Sequence, residues 1–171
     1  MAVSFYIASV VVVLSTLLAL TRRNPMHALL YLIVSLLSIA MIFLLMGAYL
    51  AAALEVIIYA GAIMVFFIFV IMMLNIAEAP IPGAADWLRP QAWVGPAFLA
   101  AVLAAELVYV FLAAGMVKGH TASPPKQVGI ALYGPYMLGV ELASLLLLAG
   151  LVGAFHLGRR ENPAPPEREG A

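Results

Sequence analysis

Five apolar stretches take up most of the chain, at roughly Ala2–Leu20, Met26–Met46, Ala51–Leu74, Ala92–Ala114 and Pro135–Leu157, with short polar connections between them. About 20 mainly apolar residues are enough for a helix to cross the hydrocarbon core of a bilayer, and each stretch meets that length. Lipid offers no hydrogen bonds, so backbone N–H and C=O groups in such a run must pair within it, and a helix is the local way to do so. Composition agrees, with 66% of the residues hydrophobic and 9% charged, against roughly half and a quarter in soluble domains. The sequence therefore predicts an all-α integral membrane protein of about five transmembrane helices. These form one domain over residues 1–158, with the lipid bilayer as solvent, and a tail follows over residues 159–171.

The same composition excludes several kinds of chemistry. Eight basic and eight acidic residues cancel, and neither sign forms a long run, so a nucleic-acid partner has no electrostatic support. Without cysteine the chain can hold no disulfide, thiolate zinc site, Cys-ligated iron–sulfur cluster or thiol nucleophile. Any redox centre must belong to a partner. His120 has no second ligand at metal-binding spacing, and no glycine pattern follows a predicted strand, so neither a metal site nor a nucleotide-binding fold is expected.

The connections set the topology. In Thr21-Arg22-Arg23-Asn24-Pro25, Asn24 can cap the second helix while Pro25 takes its first position, where a missing N–H does no harm. Gly47 closes that helix, and the link beyond it is short enough to force an antiparallel hairpin. The Asn75–Gln91 connection holds Pro80, Pro82, Gly83 and Pro90 with Glu78, Asp86 and Arg89, the composition of a solvated loop. Trp87 and Trp93 flank its exit, as an interfacial belt does. Between Gly115 and Gly134 lie Lys118, His120, Lys126 and the pair Pro124-Pro125, with Val128–Tyr133 a short interfacial piece. The tail beyond Arg159-Arg160 is rich in Pro and Glu and is expected to be disordered. No basic residue precedes the first stretch and Arg22-Arg23 follow it, the reverse of a signal peptide, which predicts a retained first helix. Placing the N-terminus outside puts Arg22, Arg23, Arg89, Arg159, Arg160 and Arg168 inside and only Lys118 and Lys126 outside. The positive-inside rule thus predicts N-out, C-in. No internal repeat suggests an inverted-repeat transporter.

Three carboxylates fall inside the spans: Glu55, Glu106 and Glu141. A charge in hydrocarbon is costly, so such residues face a bundle interior, a wet cavity or a partner. Glu55 and Glu141 lie about 6–9 Å from the outer ends of their helices; reaching the interface or bonding a neighbouring subunit accounts for them as well as a proton path does. Glu106 is predicted near the middle of the fourth span with no His, Lys or Arg at its depth, so it requires a neutral state or a base from a partner. Glu55 and Tyr59 are four residues apart and share a helix face; the Tyr59 hydroxyl, about 12 Å inside the membrane, needs a partner or water. Ala60-Gly61-Ala62 follows, and two readings stand: ordinary small-residue packing, or a local irregularity such as a π-bulge. His27 and His156 sit where snorkelling to the cytoplasmic interface explains them. Met64, Met72 and Met73 read as gap-filling packing residues.

The runs Arg23-Asn24-Pro25-Met26-His27-Ala28-Leu29-Leu30-Tyr31, Leu54-Glu55-Val56-Ile57-Ile58-Tyr59-Ala60-Gly61-Ala62-Ile63-Met64-Val65 and Gly139-Val140-Glu141-Leu142-Ala143-Ser144 resemble the J-type subunits of respiratory complex I. That complex is the proton-translocating NADH:quinone oxidoreductase, and mitochondrial NADH dehydrogenase chain six is their counterpart. The likeness extends over residues 1 to about 158 and stops at the tail. It implies a non-catalytic subunit of the bacterial inner membrane, wedged between the quinone-site module and the antiporter-like subunits. It also implies that FMN, iron–sulfur clusters and quinone reside in partner subunits and no cofactor in this chain. In the family the third helix carries a π-bulge at the positions corresponding to Tyr59–Val65, where rotation makes or breaks a water path. Tyr59, Gly61 and Val65 thereby become the coupling candidates, with Glu55 beside them; Glu106 and Glu141 rest on their burial argument. The competing expectations are a scaffold without a gate, and a subunit of a related hydrogenase or multisubunit cation/proton antiporter.

The charge asymmetry predicts a labelling pattern. With no native cysteine, single cysteines introduced in the Gly115–Gly129 loop should react with an impermeant thiol reagent in intact cells. Cysteines at Arg22–Asn24 or in the Asn75–Gln91 loop should not, and the inverse pattern would reverse the orientation.

Overall fold

The computed structural model describes residues 2–73, 90–114 and 123–159. Two units divide it, Met1–Pro125 and Lys126–Ala171. The first holds α1 (Ala2–Thr21), α2 (Pro25–Leu45), a third span over Tyr49–Met73 and α5 (Pro90–Ala114). That third span consists of α3 (Tyr49–Leu54), a π-helical segment (Glu55–Ile63) and α4 (Met64–Met73). The second unit carries α6 (Pro125–Leu132) and α7 (Met137–Gly158). Among the described residues there is no strand, and five helices are long and apolar enough to cross a membrane. Their limits fall within about two residues of those expected, the ordinary uncertainty of a helix end. The segment 74–89 with Trp87, the segment 115–122 and the tail from Arg160 onward lie outside the described residues.

The helix ends form for local reasons. Asn24 has extended backbone geometry, its Oδ1 accepts from the Met26 N–H at 3.0 Å, and Pro25 opens α2. One N–H that the first turn leaves without a helical acceptor is thus met by a side chain. At the other end of α2, the Gly47 N–H bonds the Leu44 carbonyl at 3.0 Å and the Ala48 N–H bonds that of Phe43 at 2.9 Å, while Gly47 has φ 79°. This is a Schellman cap, and its left-handed residue is best supplied by glycine. It turns the chain directly into α3.

Within the first unit α2 packs against α1, the third span and α5, and it is the most buried of the spans. The face that α1 buries is small and repeats at helical spacing: Ser4, Ala8, Val11 and Ser15. Small residues let two helix backbones approach, which is what drives association where lipid competes on equal terms with apolar side chains. The hydroxyls are satisfied as they are buried. Ser15 Oγ donates to the Val11 carbonyl at 2.6 Å and Ser38 Oγ to that of Val34 at 2.8 Å. Thr16 Oγ1 gives its one proton to the Val12 carbonyl at 2.8 Å, so in its 2.7 Å bond with Ser35 Oγ the serine is the donor. This bond ties α1 to α2. Ala8, Met41, Leu103 and Val110 then close the core among α1, α2 and α5.

A second tie lies where α1 ends and α5 begins. Tyr31 is 3% exposed. Its hydroxyl accepts from Arg22 Nη2 at 3.3 Å, and the same guanidinium stands 5.3 Å from the ring centroid. Across from it lies Gly95 of α5, where an added Cβ would overlap the Tyr31 hydroxyl. A glycine at 95 is therefore what lets α5 seat on α2. Gly95→Ala should cost about 1–3 kcal/mol, as overpacking does, and lower the temperature at which the chain aggregates from detergent-solubilised membranes. Adding Tyr31→Phe should recover most of that loss by removing the overlapping oxygen, whereas an equal loss in the double variant would place the strain elsewhere.

Candidate functional site

The most unusual backbone is the nine-residue π segment Glu55–Ile63. A π turn bonds i to i+5 and holds one more residue than an α turn, a geometry found mostly as single wide turns at functional positions. Its junctions are continuous. The Glu55 N–H meets the Ala51 and Ala52 carbonyls at the start, and the Met64 N–H is shared by the Tyr59 and Gly61 carbonyls at the end. No backbone polarity is lost in crossing from α to π and back. Ala60-Gly61-Ala62 lies inside the wide turns, so the irregular backbone carries the smallest side chains. A Cβ built on Gly61 would stand 3.1 Å from the Val56 carbonyl oxygen, five residues upstream, and within 4 Å of no other group outside the adjoining backbone. The restriction at Gly61 thus comes from its own helix. Among the described residues no side chain of a neighbouring helix would lie within 4 Å of that Cβ.

None of the nine residues is buried. Glu55, half-buried, opens the segment, and Tyr59 follows on the same face with 50% of its surface exposed. Gly61 is half-buried. Val65 lies outside the segment, as the second residue of the regular helix α4, and is exposed. The resemblance implied an irregularity over Tyr59–Val65; the structure starts it four residues earlier and ends it two residues sooner. Beside its first turns an apolar groove of about 550 Å³ runs between α2, the third span and α5, with Val56 and Ile57 on one wall and Met41, Ala100 and Leu103 opposite. The wide turns therefore border open space.

Glu106 belongs to a different place. It projects from α5 toward α1, is 7% exposed, and lines the same cavity as Ser4 of α1. Ser4 is the third residue of α1, and Glu106 stands about 20 Å along α5 from Trp93. It lies a few residues past the midpoint of α5, on a face beside Ser4. Its Oε2 has no hydrogen-bond partner. Next to it a cavity of about 540 Å³ opens between α1 and α5, with no residue of the third span in its wall. Glu141 is exposed on α7 in the second unit, where Ser144 Oγ donates to its backbone carbonyl at 2.7 Å.

The structure thus gathers Glu55, Tyr59 and Gly61 into one irregular segment, leaves Val65 just beyond it and sets Glu106 apart. No group of three His, Asp or Glu side chains among the described residues could hold a metal ion. Sequence reasoning missed Ser4, which is buried and lines the cavity beside Glu106. Its signal was present in the spacing of Ser4, Ala8, Val11 and Ser15, a small-residue stripe on an otherwise bulky helix. The tie among Arg22, Tyr31 and Gly95 had no such signal, since Arg22 read only as an interfacial charge.

Comparison with known proteins bears on this site. The family model described as NADH-ubiquinone/plastoquinone oxidoreductase chain 6 matches residues 15–157. The NADH-quinone oxidoreductase subunit J of Pseudomonas aeruginosa is 56% identical over 160 residues, covering 92% of this chain and 96% of that protein. The protein of the same name in Escherichia coli K12 is 54% identical over 160 residues, covering 92% and 86%. That of Rhodobacter capsulatus is 36% identical over 164 residues, covering 92% and 81%. The matched region takes in the π segment, Glu106 and all of α2, α5 and α6.

Proposed function

The chain belongs to the NADH-ubiquinone/plastoquinone oxidoreductase chain 6 family, and we propose that its π segment is the element through which it couples quinone reduction to proton movement. It is a multi-pass membrane subunit of a bacterial NADH-quinone oxidoreductase, and other subunits of that complex are its partners. The chain itself is not catalytic. FMN, the iron–sulfur clusters and the quinone site belong to partner subunits, and the chain sits between the quinone-site module and the antiporter-like subunits.

One observation carries the proposal: a nine-residue π segment, none of it buried, that contains the polar side chains Glu55 and Tyr59. A π turn can revert to an α turn by passing its extra residue along the helix, and one residue corresponds to about 100° of rotation. Such a change would swing Glu55 and Tyr59 relative to α4 without breaking the span. The groove beside Val56 and Ile57 provides space for that movement. In the π state Tyr59 is 50% exposed, and water or a partner must satisfy its hydroxyl. In the α state it is withdrawn, and the hydrogen-bonded path through it is cut. Val65 reports on the rotation from the α4 side, and Glu141 supplies a further carboxylate on α7.

The alternative is a scaffold whose π segment is static, and one substitution separates the two readings. Gly61→Val adds branching at a position whose Cβ already stands 3.1 Å from the Val56 carbonyl, so it should bias the segment to one state. A bias of about 1.4 kcal/mol shifts a two-state population tenfold. Quinone reductase activity and proton pumping, normalised to assembled complex on a native gel, should therefore fall together by about that factor. NADH oxidation by an artificial acceptor should persist. Tyr59→Phe should give a smaller loss in the same direction. Full coupled activity in assembled Gly61→Val would rule out gating, and loss of assembly alone would favour the scaffold.

A further inference from the structure

The cavity between α1 and α5 is left unused by that mechanism, and its chemistry is unbalanced. Glu106 is 7% exposed, yet Oε2 has no hydrogen-bond partner. That oxygen is also shielded from solvent, while the Glu106 side chain lines a space of about 540 Å³. A buried acceptor without a donor bears the full cost of its desolvation, more so when charged. The walls around it are mostly apolar, formed by Val3, Ile7, Val102 and Ala105, with Tyr109 at the margin. Val3 and Tyr109 are 71% and 61% exposed, so the mouth opens sideways from the bundle and not into its core.

We infer that this cavity receives a lysine or arginine side chain from a transmembrane helix of another subunit of the complex. Three features select that occupant. An unpaired carboxylate oxygen calls for a cationic or N–H donor, and ionisable residues within membranes pair with one another. The apolar walls suit the methylene stem of a long basic side chain, whose charged head can approach the Glu106 carboxyl while the stem covers Val102 and Ile7. Water alone fits less well, because most of the wall is apolar, formed by Val3, Ile7, Val102 and Ala105, and apolar cavities hold water poorly. This contact is an assembly device and is independent of the rotation at Gly61.

The test uses the assembled complex. Tyr109 is replaced by photoreactive p-benzoylphenylalanine, and the irradiated membranes are analysed by mass spectrometry. The expected adduct joins the chain to a helix of one other membrane subunit that carries Lys or Arg within one helical turn of the cross-link. Glu106→Leu should then reduce assembled complex several-fold, because the partner's cation is left buried without its carboxylate, and Glu106→Gln should lie between. Replacing that cation by Leu in the Glu106→Leu background should restore assembly, since no unpaired charge remains. Adducts with lipid alone, no adduct, a partner helix without a basic residue, normal assembly of Glu106→Leu, or no recovery in the double variant would each overturn the inference.

Discussion

Every structural choice in this chain is subject to one constraint: in hydrocarbon, a backbone N–H or C=O that loses its partner has no water to turn to. Regular α-helix meets the demand along α1, α2, α5 and α7. The third span meets it differently, since its π segment keeps the ladder closed with longer loops of chain, and the Met64 N–H bridges the Tyr59 and Gly61 carbonyls where the helix narrows again. An irregularity of this kind can persist in a membrane because it is fully bonded. An α turn would satisfy the same backbone groups and differ only by where one residue sits.

The same constraint shapes the polar side chains. Ser15, Thr16, Ser35 and Ser38 lie between α1 and α2, and each hydroxyl is committed either to a carbonyl of its own helix or to the Thr16–Ser35 bond. They add specificity to an interface built from small residues without leaving polarity unmet. Glu106 departs from this pattern. Its Oε2 is buried without a hydrogen-bond partner, beside the cavity between α1 and α5. Tyr59 is a milder instance, exposed within the span. In a subunit that works only within an assembly, unmet polarity at lateral surfaces marks the contacts that the assembly must complete.

Much of this was legible in the residues. Five long apolar runs left no soluble reading, Asn24-Pro25 and Gly47 marked the ends of α2 through chemistry local to those positions, and the Tyr59–Val65 run directed attention to the third span. Legibility failed where a property depends on two helices at once. That Glu106 shares a cavity with Ser4 was not readable, because counting along α5 takes no account of its packing against α1. The start of the π segment at Glu55 was not readable, since the residues before Ala60 are ordinary helix formers or apolar side chains common in any span. Gly95 gave no sign of its role until Tyr31 was seen across from it.

What the sequence determined by itself follows from interactions within one segment: span number and approximate limits, caps, the exclusion of metal, thiol and nucleotide chemistry, and family membership through its motif runs. These depend on hydropathy, on residues within a few positions of one another, or on the presence of a residue type at all. Tertiary structure decided which small residues face α2, that the Tyr31 hydroxyl needs a glycine at 95, that Ser4 and Glu106 line one cavity, and that the π turns border a groove. Each is a meeting of side chains distant in sequence, set by the rotation and stagger of packed helices. Helices that are apolar all round have no polar face to fix such rotation, so only the packed bundle could reveal it.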